Sequence, residues 1–243
     1  MNQALFDIIK NSNNIVFFGG AGVSTESGIP DFRSSSGIYQ SQKKYPYPPE
    51  VMVSSDFFYE YPELFYEFYF EKMVFPNAQP SGAHVALAKL EKMGKLKAII
   101  TQNIDGLHQA AGSGEVLELH GSIHRNYCKS CHSFYDLNDM LKQKGKVPKC
   151  SKCGATIKPD VVLFGESLNN ETLEKSIDYL KHADVVIVGG TSLVVYPAAG
   201  LLQYFSGDTL VLINRDCTNM DDKANLVIHE KIGEVLKEVV DAL

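Results

Sequence analysis

The 243-residue sequence has no run of 18 apolar residues, so it lacks a segment typical of a membrane-spanning helix. Its first residues, MNQALFDIIKNSNN, lack the basic flank and long apolar core of a secretion signal. The chain has no excess of positive charge, with 23 Lys and Arg against 29 Asp and Glu, which argues against a general nucleic-acid-binding protein. We therefore expect a cytoplasmic protein that binds neither a membrane nor nucleic acid directly, and we expect a monomer.

What the sequence does contain is the composition of a globular protein, with 44% hydrophobic and 21% charged residues. Short apolar runs predict buried parallel strands at Ile15–Phe18, Ala98–Thr101, Val185–Val188 and Leu210–Ile213. Helical patterns lie beside them, in the first residues of the chain and at Gly82–Met93, Asn170–His182, Pro197–Phe205 and Lys231–Leu243. This alternation predicts an α/β fold with a doubly wound, Rossmann-like parallel sheet.

Two segments interrupt the alternation. Residues 34–75 are rich in Tyr and Phe and predict a helical insert. Residues 121–160 hold eight basic and three acidic residues, a net charge of +5 in a chain of −6, which suggests a separate structural unit. We predict a dinucleotide-binding domain from residues 1–33, 76–120 and 164–243, and a smaller lobe from the helical insert, residues 34–75, and a zinc-binding module, residues 121–163.

Four of the five cysteines form two C-x-x-C pairs in this basic segment, at Cys128, Cys131, Cys150 and Cys153. Two such pairs at this separation are typical of a zinc site, because each turn directs two thiolates at one tetrahedral ion. Disulfides are disfavoured without a secretion signal, and a redox C-x-x-C needs only one pair. Four cysteine ligands leave no open position, so we predict one structural Zn²⁺. Cys217 stands alone and is interpreted as an ordinary thiol.

Small or amide-bearing residues follow each of the four predicted strands. The first is followed by GGAGVST, the second by TQNID, the third by GGTS and the fourth by Asn214. Because ligands bind at the carboxyl ends of strands in open α/β sheets, these four sequences predict a dinucleotide site. Gly20 and Gly22 are expected to let the backbone approach a pyrophosphate, which amide N–H groups would bind. Thr191 and Ser192 can donate hydroxyl hydrogen bonds there, and Asn214 can contact a ribose.

The pattern does not predict a dehydrogenase. Thr25 stands where the third glycine of G-x-G-x-x-G belongs, and the next glycine is Gly28. The second strand and its ribose-binding acidic residue, expected about 20 residues further on, are replaced by SGIPDFRSSSGIY and the aromatic segment. A nucleotide is predicted, but hydride transfer is not.

Six motifs in order resemble those of one family: GAGVSTESGIPDFR, TQNID, the LHG of Leu119–Gly121, the paired C-x-x-C, the FGE of Phe164–Glu166, and GTSLVVYPAA. From about Ile15 to Asn214 the chain is similar to the sirtuins of bacterial type, which are NAD-dependent protein lysine deacylases. The resemblance implies that NAD is consumed as a co-substrate. The acyl oxygen of a modified lysine displaces nicotinamide from C1′ of the ribose, and the acyl group ends on ADP-ribose.

The resemblance also implies roles for individual residues. His120 would be the general base for the ribose hydroxyl, a role that suits a neutral imidazole. Asn103 would position the ribose and a water. Asp105 would bind the nicotinamide carboxamide together with the backbone of Ile104. A lone histidine in a polar turn is more often structural. His120 is singled out as a catalytic candidate only by its position in the LHG motif. Phe32 would cover C1′ and Arg33 would lie near the phosphates. The other implied NAD contacts are Gly20, Ala21, Gly22, Thr25, Gln102, Gly190, Thr191, Ser192, Asn214 and Ile232.

The acyl-lysine substrate is implied to bind as an extended strand between VVLFGE and SLVVYP. The implied contact residues are Val162, Phe164, Gly165 and Val194, with Val162 and Phe164 lining the lysine tunnel. Sirtuins that prefer succinyl or malonyl lysine carry a Tyr and an Arg after the PDFR motif. Here Tyr39 is present but no arginine follows it, so acetyl or longer uncharged acyl groups are expected.

Two other hypotheses remain open on the sequence alone. A protein mono-ADP-ribosyltransferase would use the same C1′ chemistry with another nucleophile. A non-catalytic NAD-sensing or zinc-ribbon binding module would fit the basic segment, but it would leave His120, Asn103 and Asp105 together without an explanation.

Overall fold

The computed structural model describes residues 1–32, 37–38 and 44–243. Arg33 and Tyr39, both singled out above, lie outside the described residues. No helix of the described part is long and apolar enough to span a membrane.

The larger of the two sheets that the described residues form has six parallel strands in the order β3-β2-β1-β7-β8-β9. These strands are β1 Ile15–Gly19, β2 Leu96–Thr101, β3 Val116–Glu118, β7 Val185–Gly189, β8 Thr209–Ile213 and β9 Leu226–Ile228. The four predicted strands are confirmed. The two edge strands, three residues each, were not predicted because their apolar runs are too short to stand out from loops. The strand order reverses between β1 and β7, which is where a doubly wound sheet binds its ligand.

Helices cover both faces of this sheet, as the doubly wound prediction requires. Ile15 and Phe17 of β1 pack in one apolar cluster with α1 Gln3–Asn11, α5 Gly82–Lys92 and α9 Ile232–Asp241. The alternate residues, Val16 and Phe18, pack in a second cluster with α8 and the segment after β7. α8 spans Asn170–His182, as predicted, whereas the segment predicted as a helix at Pro197–Phe205 forms a 3₁₀ helix over Ala198–Tyr204. A short helix, α6 Leu107–Ala110, follows β2.

The smaller lobe combines the helical insert with the cysteine segment. The insert contains α2 Pro49–Met52, α3 Ser55–Glu60 and α4 Pro62–Lys72. The cysteine segment contains a three-stranded antiparallel sheet in the order β5-β4-β6, with β4 Gly121–Cys128, β5 Phe134–Tyr135 and β6 Ile157–Val161, and α7 Leu137–Leu141. The described residues of both segments contribute to one buried cluster, so the two segments share a core.

Aromatic side chains of α4 form the centre of that cluster. Phe65, Tyr66 and Tyr69 are almost completely buried, and the Tyr66 hydroxyl donates to the carbonyl of Ile157 in β6. Burial of this kind removes a large apolar area from water for each ring. The insert and the cysteine segment are therefore expected to fold together.

The loop after β1 packs directly against the loop after β7. The Gly20 N–H donates to the Gly189 carbonyl over 3.2 Å, and the Gly22 N–H donates to the Gly190 carbonyl over 2.8 Å. A Cβ added at Gly22 would lie 2.6 Å from Gly190 Cα. These glycines are thus needed for contact between two protein loops. Spacing along the chain does not reveal this contact with the loop after β7, and the approach of a pyrophosphate to Gly20 and Gly22 stays a prediction.

Gly190→Ala is predicted to destabilise the protein more than Gly28→Ala. Both glycines have positive φ, +61° and +81°, but a Cβ at Gly190 would lie 2.4 Å from Val23 N, whereas one at Gly28 meets nothing within 4 Å. We expect the free energy of unfolding to fall by about 2–4 kcal/mol for Gly190→Ala and about 1 kcal/mol for Gly28→Ala. Chemical denaturation measures both, and equal losses would contradict the packing role of Gly190.

Candidate active site and metal centre

A cavity of about 820 Å³ lies at the carboxyl ends of the strands of the large sheet, between the two lobes. The loops after β1, β2, β7 and β8 contribute to its wall, as does the segment after β6. It is lined by most of the residues singled out from the sequence: Gly20, Ala21, Gly22, Thr25, Phe32, Gln102, Asn103, Ile104, Asp105, His120, Val162, Phe164, Gly165, Gly190, Thr191, Ser192, Asn214 and Ile232. Val194 does not line the cavity, and Arg33 lies outside the described residues.

His120 stands between β3 and β4 with one ring nitrogen held by the protein. Its Nδ1 lies 3.0 Å from the carbonyl oxygen of Gln102. Because a carbonyl only accepts hydrogen bonds, Nδ1 carries the proton and Nε2 keeps its lone pair. Burial lowers the pKa of His120 below its ordinary value, while the hydrogen bond to Gln102 acts in the opposite direction. The ring is therefore neutral near pH 7 and able to accept a proton at Nε2.

Asn103 and Asp105 are joined through a buried serine, Ser24, to which no sequence motif assigned a role. The Ser24 hydroxyl donates to Asp105 Oδ2 over 2.6 Å and accepts from Asn103 Nδ2 over 3.1 Å. Asp105 Oδ1 also accepts from the Leu107 N–H over 2.9 Å. Ser24 lines the cavity and belongs to the GAGVST motif, but only its contacts 79 and 81 residues away reveal that it orients two of the predicted site residues.

Other predicted cavity residues hold loops in place as well. Gln102 Nε2 donates to Thr191 Oγ1 over 3.0 Å, which connects the loops after β2 and β7. The Thr25 hydroxyl donates to the Gly22 carbonyl over 2.9 Å and closes its own turn. Asn214 Nδ2 donates to the carbonyl of Asp216 over 2.7 Å. These polar side chains are fixed before any ligand binds, which is the condition for a preorganised site.

The wall near Phe164 is attached to the helical insert. The Phe164 N–H donates to the Val53 carbonyl over 3.0 Å, and its own carbonyl accepts from the Ser55 N–H over 2.9 Å. The Val162 N–H donates to the His120 carbonyl over 3.0 Å, so this segment and His120 are positioned together. Phe164, Val194 and Tyr196 leave 44%, 51% and 72% of their surface exposed. Large apolar groups exposed beside a cavity are typical of a surface that a partner covers.

The four predicted cysteines converge at the end of the small sheet. Their sulfurs lie within 4.8 Å of one another, with 3.4 Å between Cys128 Sγ and Cys153 Sγ and 3.5 Å from Cys131 Sγ to both Cys150 Sγ and Cys153 Sγ. Four thiolates about 2.3 Å from one tetrahedral ion are separated by about 3.8 Å. The separations exceed a disulfide bond, and the cysteines are free. The donor set and its spacing fit a single structural Zn²⁺.

Hydrogen bonds to the sulfurs of Cys128 and Cys150 orient these two ligands, and those to Cys150 support its thiolate form. The N–H groups of Ser130 and Lys152 point to Cys128 Sγ and Cys150 Sγ over 3.4 Å each. The Tyr135 hydroxyl donates to Cys150 Sγ over 3.1 Å and, as the largest cause, lowers the pKa of Cys150 to about 6. Such contacts to metal ligands raise metal affinity.

Residues 20–197 match the sequence model of the Sir2 family. An NAD-dependent protein deacetylase of Clostridium perfringens is 60% identical over 238 residues, which cover 98% of this chain and 97% of that protein. A Sir2 structure with a deacetylated p53 peptide and 3'-O-acetyl ADP ribose has a TM-score of 0.91 and 42% identity, covering 99% of this chain and 97% of that one. A Sir2 structure with a p53 peptide and NAD⁺ has a TM-score of 0.87 and 42% identity, covering 100% and 98%.

Cys150→Ala is predicted to abolish zinc retention and to destabilise the small lobe, because three thiolates leave the ion incompletely bound. Zinc content after dialysis and the thermal unfolding midpoint measure the two effects.

Tyr135→Phe keeps all four ligands but removes one hydrogen bond to Cys150, so we expect a zinc dissociation constant about 10-fold higher. Tyr61→Phe, at an exposed tyrosine of the helical insert in the same lobe, is the matched control. A Cys150→Ala protein that stays folded and fully active without zinc would contradict a structural role for the ion.

Proposed function

The chain belongs to the Sir2 family, and from this premise we infer that it is an NAD-dependent protein lysine deacetylase. The observation that supports this most directly is the geometry of His120, which lines the cavity. Its Nδ1 donates to the Gln102 carbonyl, and this leaves Nε2 able to accept a proton. The similar structure with a deacetylated peptide and 3'-O-acetyl ADP ribose favours deacetylation over the alternative of ADP-ribosyl transfer to protein.

The cavity fits NAD in its size and its polar groups. A volume of about 820 Å³ is in the range of cofactor sites, and it lies at the reversal of strand order where dinucleotides bind. Bound NAD supplies a ribose C1′ whose bond to nicotinamide can be broken by attack of an acyl oxygen. We propose that the loops after β1 and β7 hold the diphosphate, and that Asn214 and Ile232 lie toward the adenosine.

His120 is proposed as the general base. It accepts the proton of a ribose hydroxyl at Nε2, and the resulting imidazolium is stabilised by the Gln102 carbonyl at Nδ1. Asn103 and Asp105 would orient the ribose and the carboxamide of nicotinamide. Ser24 holds both side chains at fixed positions, so their orientation does not have to be established when the substrate arrives. Phe32 lines the same cavity and would exclude water from C1′.

The acyl-lysine chain is proposed to cross the cleft as an extended strand between the segments VVLFGE and SLVVYP. Phe164 already uses its N–H and carbonyl in bonds to the helical insert, so the pairing would fall on neighbouring groups such as those of Gly165. Val194 lies outside the cavity lining with half of its surface exposed. It would contact residues that flank the lysine, together with Tyr196.

We propose that the small lobe on one side of this cleft comprises residues 34–75 and 121–163.

Nicotinamide release from NAD is predicted to require both an acetyl-lysine peptide and His120. We expect His120→Ala to lower the rate by at least about 100-fold, the contribution typical of a general base. The same variant should retain the unfolding midpoint of the wild type, which separates a catalytic loss from misfolding. His182→Ala, at an exposed histidine of α8, is the matched control.

Mass spectrometry should show loss of acetyl from the peptide and gain of acetyl on ADP-ribose. Release that is independent of both peptide and His120 would contradict the mechanism, and ADP-ribose attached to protein would favour the alternative.

The pH dependence of kcat/KM is predicted to follow the protonation of His120. A general base works only in its neutral form, so the rate falls as the pH drops through the pKa of the base in the free enzyme. Because burial places the pKa of His120 below its ordinary value, the acid limb should have its midpoint below pH about 6.5. A midpoint above pH about 7 in initial-rate measurements would be inconsistent with a buried neutral His120 as the base.

A further inference from the structure

A second group of metal-ligating side chains lies away from the four-cysteine centre. Cys217 Sγ, a carboxylate oxygen of Asp221 and a ring nitrogen of His229 lie within 4.8 Å of one another. His229 Nε2 is 3.3 Å from Asp221 Oδ2 and 3.8 Å from Cys217 Sγ. The three residues come from the loop after β8, a 3₁₀ helix at Asp221–Lys223 and the position directly after β9.

Hydrogen bonds already orient two of these ligands. His229 Nδ1 lies 3.0 Å from the Asn214 carbonyl, so Nδ1 carries the proton and the lone pair is on Nε2, the nitrogen that faces Cys217 and Asp221. Asp221 Oδ1 accepts from the Thr218 N–H over 3.0 Å and from the Thr218 hydroxyl over 2.7 Å. Oδ2 is thereby directed to His229. Metal-ligating histidines and carboxylates commonly have such outer contacts.

The close approach of these three atoms is stabilised by a proton or a cation that lies among them. Nε2 with its lone pair and Oδ2 are both acceptors, and at 3.3 Å they repel each other unless a proton or a cation lies between them. A proton on Nε2 would join His229 to Asp221, and the Cys217 S–H can donate to one acceptor at a time. A cation would bind all three atoms, and nitrogen, sulfur and oxygen are the donors that Zn²⁺ takes in tetrahedral sites.

We propose that Cys217, Asp221 and His229 form a second, exchangeable site for a divalent cation of the Zn²⁺ class, with a fourth position open to solvent. Because its three ligands come from separate segments, a bound cation would stabilise the corner of the large domain that carries Asn214. Cys217 also lines the cavity, so the site borders its adenosine end under the proposed function. The existence of the site does not depend on that function, and its test needs no measurement of activity.

Zinc binding to the folded enzyme, with its structural zinc retained, tests the proposal. After equilibrium dialysis against micromolar Zn²⁺, we expect about two zinc ions per chain in the wild type and about one in Cys217→Ser and His229→Gln. His182→Gln is the matched control, because His182 is an exposed histidine 3.4 Å from Asp178 with no cysteine beside it, and it should keep about two. One ion in the wild type, or two in both site variants, would overturn the proposal.

Alkylation of Cys217 gives a second readout that does not depend on a variant's stability. Cys217 is exposed and is the only cysteine outside the four-cysteine centre. Added Zn²⁺ should slow its modification by iodoacetamide at least about tenfold in the wild type and in His182→Gln, and much less in His229→Gln. Peptide mass spectrometry identifies the modified residue. An unchanged rate at Cys217 in the wild type with and without Zn²⁺ would show that a proton, and not a metal ion, bridges His229 and Asp221.

Discussion

Two backbone hydrogen bonds, from Gly20 to Gly189 and from Gly22 to Gly190, hold the loop after β1 against the loop after β7. This contact lies where the order of the strands reverses, and the cavity wall formed by the loops after β1, β2 and β7 depends on it. The loop after β1 carries Ser24, which orients Asn103 and Asp105. The loop after β7 carries Thr191, which accepts from Gln102. A side chain at either contact glycine would separate these loops and would displace all five polar residues together.

The small lobe depends on a different constraint, since the described residues of its two segments share one core. The aromatic helices of the insert and the sheet of the cysteine segment share one buried cluster, and the four cysteines hold the far end of that sheet. Arg125 of β4 extends this support to the large domain, because it donates to Glu118 of β3 over 2.6 Å and to Asp160 of β6 over 2.8 Å. A zinc ion remote from the reacting atoms can thereby influence the position of His120, which lies between β3 and β4.

His120 shows how the surroundings of a residue determine its chemistry. Burial favours the neutral imidazole, and the Gln102 carbonyl selects the tautomer with its lone pair on Nε2. The same principle operates at His229, where the Asn214 carbonyl selects the same tautomer. There the second nitrogen faces a carboxylate and a thiol, which suits a cation better than a ribose hydroxyl.

Much of this protein can be read from local patterns. The four buried strands were predicted because parallel strands covered on both faces are short apolar runs, and the zinc centre was predicted because each ligand pair is three residues apart. Edge strands β3 and β9, with three residues each, had no comparable signal. The contact that requires Gly20 and Gly22, the serine that joins Asn103 to Asp105, and the meeting of Cys217, Asp221 and His229 were decided by the tertiary structure. Each depends on backbone or side-chain contacts formed between separate segments, and periodicity and spacing carry no information about which segments meet.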